Sequence, residues 1–290
     1  FDKSLEIGFE GEMIEILDSL PHIKKKILTS ATQEFKVPAF VGLNNPGRIN
    51  YLHEAVHKLE IKKIVVGNDL LEGLADSLKA IGNKPGIIFC NYKDTIAGIS
   101  EFLTSKDISH GLFYGGLEQI DRERALIKFR NGTHQLLLAT DLAARGIDVP
   151  EIKFIIHYEL PYKEKEFTHR NGRTARMNAE GTAYVLTRKG AKLPDYMPEL
   201  EDANLAGGKD LKPSEWTTLY ITGGKKDKIS KGDIAGLFMK QAGLEPYEVG
   251  HIEIKLDSTF VSVHKTQLSK AIAKTNNTRV KKKKVRVSEA

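Results

Sequence analysis

The chain has 290 residues, 40% hydrophobic and 28% charged, the profile of an ordinary globular protein of two or three domains. It contains no run of 18 apolar residues to span a membrane, no secretory leader is expected at its start, and a lone cysteine, Cys90, excludes an internal disulfide or a multi-cysteine zinc site. The net charge of +6 is uneven: from Thr217 onward 15 basic residues face 7 acidic ones, whereas the rest is nearly neutral, so an anionic partner is expected for a basic C-terminal module.

In chain order, GEMIEILDSL (11–20) has apolar residues at helical spacing, and KKKILTSAT (24–32) reads as a short buried strand. Residues 41–58, with NNPG inside, read as a connector. Strand and helix patterns then alternate. IKKIVVG is a strand, LLEGLADSLKAI a helix, GIIFC a strand, TIAGISEFL a helix, ERALIKFRNG a helix and QLLLAT a strand, followed by the strand FIIHYEL, a helix around HRNGRTAR and the strand GTAYVLT. Strands this apolar between amphipathic helices predict a parallel sheet covered on both faces. Cys90 ends GIIFC and reads as a small buried hydrophobe, which suits a reducing, cytoplasmic setting. The Pro- and Gly-rich stretch from Leu193 to Trp216 reads as a linker, and the remainder has the order β-α-β-β-α-β of a split βαβ module.

Three polar clusters carry candidate chemistry: SAT (30–32), ATDLAARGID (139–148) and HRNGRTAR (169–176). Ligands in open α/β sheets meet the loops beyond the carboxyl ends of strands, where these clusters fall. Taken singly each is ordinary. SAT could cap a helix, ARGID could open one, and Arg170, Arg173 and Arg176, spaced for one helical face, could form a solvated stripe.

In order and spacing, however, the three clusters resemble motifs III, V and VI of the DEAD-box ATP-dependent RNA helicases. GIIFCNY resembles motif IV, QIDR (119–122) the QxxR element, and FDKSLEIGFEGEM the segment leaving motif II. The resemblance implies that residues 1–56 are the C-terminal remnant of a first RecA-like domain and residues 57–190 a second, α/β RecA-like domain. A linker (191–215) and an RRM-like α+β module (216–290) follow. It further implies ATP and Mg2+ as cofactors of a longer parent. Arg173 and Arg176 match its arginine fingers, and planar guanidinium forks suit a phosphoryl group developing charge. Asp148 matches the ribose-binding position, with Gly146 beside it. His169 and Asp2 match positions that couple the domains, and Ser30 and Thr32 the motif linking hydrolysis to strand separation. Arg122, Thr140 and Gly146 match positions near the RNA backbone.

Two positions depart from the family pattern: Asn171 stands for the usual aliphatic residue and Ala175 for the usual Gly. There is no GxxxxGK[ST] sequence, so a phosphate cradle and metal-binding carboxylates are expected from the longer protein, of which this chain is expected to be a part.

The C-terminal module resembles the RNA-binding domain of the DbpA-type members of the family. Alternation in LYITGG and STFVSVH turns Leu219, Ile221, Val261 and Val263 inward and leaves Tyr220 and Phe260 on the open face. There they either stack bases or cover an apolar surface. Lys225, Lys226, Lys228 and Lys231 form one basic cluster, and the KKKK run with Lys281 and Lys282 a second. The expectation is a monomeric RNA helicase acting on structured, ribosomal RNA in ribosome assembly. The rival readings are a superfamily 2 DNA helicase or repair ATPase, and a truncated, non-catalytic RNA-binding protein.

Overall fold

The computed structural model describes residues 10–29, 37–50, 59–141, 152–175, 180–205, 208 and 210–290, and the chain divides into two units, Phe1–Val56 and His57–Ala290. In the first, α1 (Glu10–Asp18) has no buried residue, although its apolar residues recur at helical spacing. A 3-10 turn at Ala39–Val41 buries Val41, whose carbonyl accepts from Lys26 Nζ at 2.7 Å. The strand expected over 24–32 is not formed in its described part, residues 24–29. A strand needs a neighbour for its N–H and C=O groups, and no described residue of this unit supplies one.

The second unit begins with a seven-stranded parallel sheet. In chain order come β1 (Leu59–Val66), α2 (Leu70–Ile81), β2 (Gly86–Phe89), α3 (Lys93–Ser105), β3 (His110–Phe113), α4 (Gln119–Arg130), β4 (Leu136–Ala139), β5 (Phe154–His157), α5 (Glu164–Asn171), β6 (Gly181–Arg188) and the short β7 (Glu201–Asp202). The strand order is β3-β4-β2-β5-β6-β1-β7.

Alternation along the strands builds two layers. Ile88, Leu138, Ile156 and Leu186 face α2 and α3, while Ile87, Leu137, Ile155 and Ala183 face the side covered by Phe129 of α4. Asp69 starts α2 by accepting from the backbone N–H of Leu71 and Glu72, and Leu74 and Leu78 of this helix are 0% and 1% exposed. Burying each such side chain contributes about 1.5–3 kcal/mol, so Leu74→Ala would cost about 2–5 kcal/mol.

The stretch between the sheets is strapped down. β7 pairs with β1, Leu200 is buried, and Asn83 exchanges two hydrogen bonds with the backbone of Lys212. The C-terminal module then runs β8 (Trp216–Thr222), α6 (Lys231–Gly236) with π-type turns over Leu237–Gln241, β9 (Val249–Ile254), β10 (Ser258–His264), α7 (Leu268–Thr275), the hairpin β11 (Arg279–Val280) and β12 (Lys283–Lys284), and β13 (Val287–Glu289). Its antiparallel sheet has the order β13-β8-β10-β9. Leu219, Ile221, Val261 and Val263 are fully buried against α6 and α7, as their alternation predicts.

Candidate nucleotide and RNA interfaces

The arginine stripe does not lie along one helix. α5 ends at Asn171, and Gly172, Arg173, Thr174 and Ala175 turn away from it. Arg170, at the end of the helix, is therefore the arginine that points inward, and it is 1% exposed. Its Nε and Nη2 donate to the two carboxylate oxygens of Asp141 at 2.7 and 2.6 Å. Nη1 donates to the carbonyl of Glu159 at 2.6 Å and Nη2 to Asn91 Oδ1 at 2.7 Å, and the guanidinium lies 5.2 Å from the ring centre of Phe89. Beyond this bidentate, charge-assisted pair, two of the three remaining N–H donors are directed at acceptors, which helps the buried ion pair to be tolerated.

The lock joins the three loops at the carboxyl edge of the sheet. Asn91 follows β2, Asp141 follows β4 and Glu159 follows β5. Glu159 accepts from the backbone N–H of Asn91 at 2.6 Å and from Thr95 Oγ1 at 2.9 Å, and Asn91 Nδ2 donates to Leu160 O at 3.0 Å. Asn171 is explained by His157, whose buried Nε2 donates to Asn171 Oδ1 at 2.9 Å. Burial, reinforced by the nearby Arg170 charge, pushes the imidazole down to about 3, so it is neutral, with Nδ1 buried and unpaired. An aliphatic residue at 171 would leave both ring nitrogens unpaired.

Downstream, Thr174 Oγ1 donates to Ile152 O at 2.6 Å and Ala175 adopts φ 53°, the left-handed conformation that glycine tolerates best. Gly181 permits this turn to sit on β6, because a Cβ there would lie 2.2 Å from Thr174 Oγ1 and 2.7 Å from Ala175 N. Arg173 and His169 are each engaged with neighbouring groups. Thr140, beside Asp141, is half-buried. Cys90 is fully buried, and desolvation pushes its thiol far above the ordinary range, so it is inert. Asp2, Ser30, Thr32, Gly146, Asp148 and Arg176 lie outside the described residues.

On the RNA side, Arg122 donates through Nη2 to Gln119 Oε1 at 2.6 Å, while its Nε is buried without a partner. The two lysine clusters, about 50 positions apart in sequence, meet in space. Lys281 pairs with Asp233 at 2.8 Å and donates to Lys228 O, and Lys283 reaches Asp227 at 3.5 Å. Hydrogen bonds from Lys281 and Ser230 lower the Asp233 carboxyl to about 2. Those two aspartates neutralise only part of the charge: Lys225, Lys226, Lys231 and Lys282 are exposed around them. Tyr220 and Phe260 face each other across β8 and β10 with ring centres 5.4 Å apart, but Phe260 is only 4% exposed.

As for the nucleotide, the described residues place Arg173 on the turn after α5, and the sequence contains no phosphate-cradling loop. They do not fit ATP by themselves. Spacing alone could not single out Asn91, Asp141 and Glu159, which matter as partners of Arg170. The one usable sign was that the stripe holds three arginines and no acid, so a carboxylate from another loop had to face the buried one.

A parallel RecA-like sheet with tied motif loops, followed by a basic split βαβ module, defines a helicase C-terminal domain carrying an RNA-binding domain. Residues 68–178 match the helicase conserved C-terminal domain and residues 218–289 the DbpA RNA binding domain. In both regions the chain is similar to the DEAD-box RNA helicases, DbpA among them. It is 27% identical to ATP-dependent RNA helicase DbpA of Escherichia coli (strain K12) over 99% of its own length and 65% of that protein's. With the DbpA of Bacillus subtilis (strain 168) the identity is 26%, over 100% of this chain and 68% of the relative. The chain thus spans about two thirds of these relatives, by the same coverage figures. The structure of S. cerevisiae Dbp5 bound to RNA and ADP BeF3 shares the fold, with a TM-score of 0.56, 24% identity, and coverage of 64% of this chain and 51% of that one. Among the described residues no helix is long and apolar enough to cross a membrane, and no cluster of ligating side chains could hold a metal ion.

Proposed function

We propose that this chain is the working C-terminal part of an ATP-dependent RNA helicase that opens short duplexes in structured RNA, ribosomal RNA during ribosome assembly, as a cytoplasmic monomer. The observation that carries the reading is the convergence of two sequence-distant lysine clusters into one basic patch, beside a helicase domain whose motif loops are bound together by Arg170. In this proposal residues 1–56 complete a first RecA-like domain, 57–190 form the second, and 216–290 select the RNA.

Arg173 and Arg176 direct guanidinium groups toward the γ-phosphate of an ATP held with Mg2+ mainly by the rest of the longer protein, and Asp148 and Gly146 contact its ribose side. Ser30, Thr32, His169 and Asp2 couple the two domains. Arg122, Thr140 and Gly146 contact the RNA backbone, and Lys225, Lys226, Lys228, Lys231, Lys281 and Lys282 hold phosphates of the structured RNA. The turn carrying Arg173 leaves α5 immediately after the Arg170 lock, which fixes its position and supports this assignment.

The test is strand separation by the longer protein with ATP, on matched RNA and DNA duplexes that share a structured RNA extension. Opening of the RNA duplex alone is the expected result. Equal opening of DNA would favour the DNA-helicase reading, and no opening of either would favour an RNA-binding role without catalysis.

A further inference from the structure

The open face of the C-terminal sheet is covered. Thr218 and Ser262 alternate with the core residues of β8 and β10, so they sit on the face opposite α6 and α7, yet each is 1% exposed. The cover is the end of α4 and the turn after it. Thr218 Oγ1 accepts from Asn131 Nδ2 at 3.2 Å and shares a hydrogen bond with Thr133 Oγ1 at 2.7 Å. Arg130 Nη2 reaches both carboxylate oxygens of Glu253 on β9, at 2.9 Å each. Lys255 spans Glu253 at 2.8 Å and Glu123 of α4 at 2.5 Å.

Trp216 seals one end of this seam. A Cβ at Gly132 would meet its Cδ1 at 3.7 Å, and a Cβ at Gly250 would strike its ring at 3.0 Å and Ser262 Oγ at 2.4 Å, so only glycine lets β9 lie under it. Ser214 Oγ donates to Gly132 O at 2.5 Å and ties the connecting segment to the same turn. At the other end, the backbone N–H of Lys225 donates to Lys255 O at 2.9 Å, so the basic loop begins where Lys255 grips Glu123, the neighbour of Arg122.

We infer that this sheet face is the module's seat on the helicase domain and not a base-stacking platform, and that the seat carries the lysine patch as one rigid body with the Arg122 surface of α4. The partner this surface fits is residues 119–134 of the same chain. Its recognition chemistry is the Thr218 hydroxyl against Asn131 and Thr133 of a polar turn, flanked by the Arg130–Glu253–Lys255–Glu123 charge chain. Phe260 then serves as the apolar floor of the seam, and Tyr220 as its rim.

The test uses the full chain, with labels on cysteines introduced by Glu101→Cys in α3 and Glu245→Cys in the module, both exposed positions; Cys90 is buried and does not compete for the label. The inter-label distance should be one narrow distribution, unchanged by a structured RNA hairpin. Glu253→Arg should broaden it and Arg130→Glu with Glu253→Arg should narrow it again, an outcome that misfolding of the single variant would not give. A broad distribution in the unmodified seam, or indifference to Glu253→Arg, overturns the inference. This arm contains no catalytic readout, so it stands or falls apart from the helicase reading, on which only the second arm rests. There, Tyr220→Ala should leave the affinity for the hairpin within about twofold, whereas loss of a stacked base would weaken it about fivefold or more and overturn the inference.

Discussion

Replacing Arg170 with Met removes a side chain that joins three motif loops, and its cost follows from the geometry. The guanidinium donates four hydrogen bonds, two to Asp141, one to Glu159 O and one to Asn91 Oδ1. Methionine fills most of the volume, so the penalty is electrostatic: a carboxylate left without its partner and two other acceptors left unpaired. Breaking a buried pair from one side costs about 3–5 kcal/mol. The Asp141 side chain keeps 24% exposure, which lets water soften the loss and places the expected value near the lower bound, about 3 kcal/mol.

Urea unfolding of the chain followed by far-ultraviolet circular dichroism measures this directly, as a fall in midpoint at unchanged slope. Arg170→Lys keeps the charge but cannot supply the planar fork, and should lose about 2 kcal/mol. The double variant Arg170→Met, Asp141→Asn should lose less than the sum of its single changes by more than about 1 kcal/mol. A loss below about 1 kcal/mol for Arg170→Met would refute the claim that this residue binds the loops together.

Three further outcomes follow from particular residues. Ala175 holds a left-handed φ that costs a non-glycine residue about 1–2 kcal/mol, so Ala175→Gly should stabilise the chain by roughly 0.5–1 kcal/mol net of the added backbone freedom in the unfolded state; destabilisation would contradict the strain. His157 is held at about 3 when folded against an ordinary 6.5 when unfolded. Below pH 6.5 the unfolded chain therefore takes up a proton that the folded chain refuses, and stability falls by up to about 1.4 kcal/mol per pH unit until it levels near pH 3. His134, lowered to about 4 chiefly by burial, adds a second such slope, and His157→Leu with Asn171→Leu should remove only the first; an unchanged pH profile in that variant would sink the assignment. Lys226→Glu with Lys282→Glu should weaken binding to structured RNA and reduce the slope of log affinity against log salt by about 1 for each phosphate no longer bound, whereas an unaltered slope would place the RNA elsewhere.

What was legible in the sequence was what depends on local periodicity. Leu70–Ile81 stands out as a helix because its apolar residues fall every three or four positions, and GIIF as a buried strand because both of its faces are apolar. The burial of Leu219, Ile221, Val261 and Val263 follows from alternation alone. The failures share a different cause. Residues 24–29 have a strand's composition but no described partner strand, and pairing is not a local property. Arg170 looks identical to Arg173 in a string of letters; they separate because α5 stops between them, turning one inward and leaving the other on a loop.

The seam between the module and α4 was hidden for a related reason. Arg130 and Glu253 lie 123 positions apart, and Thr218 and Ser262 have the polar character of a solvated face. Nothing short of the assembled sheets shows that they are covered. The lysine run was visible as charge, but its folding into a hairpin pinned by Asp227 and Asp233 was not, because a string of like charges gives no turn signal beyond Lys281, which adopts φ 54°.

The most direct test of the central claim is the RNA-stimulated ATP hydrolysis of the longer protein carrying Arg173→Ala. If Arg173 reaches the phosphoryl group being transferred, hydrolysis should fall by about a thousandfold or more while affinity for structured RNA stays close to that of the unaltered protein. Hydrolysis at the unaltered rate would contradict the account.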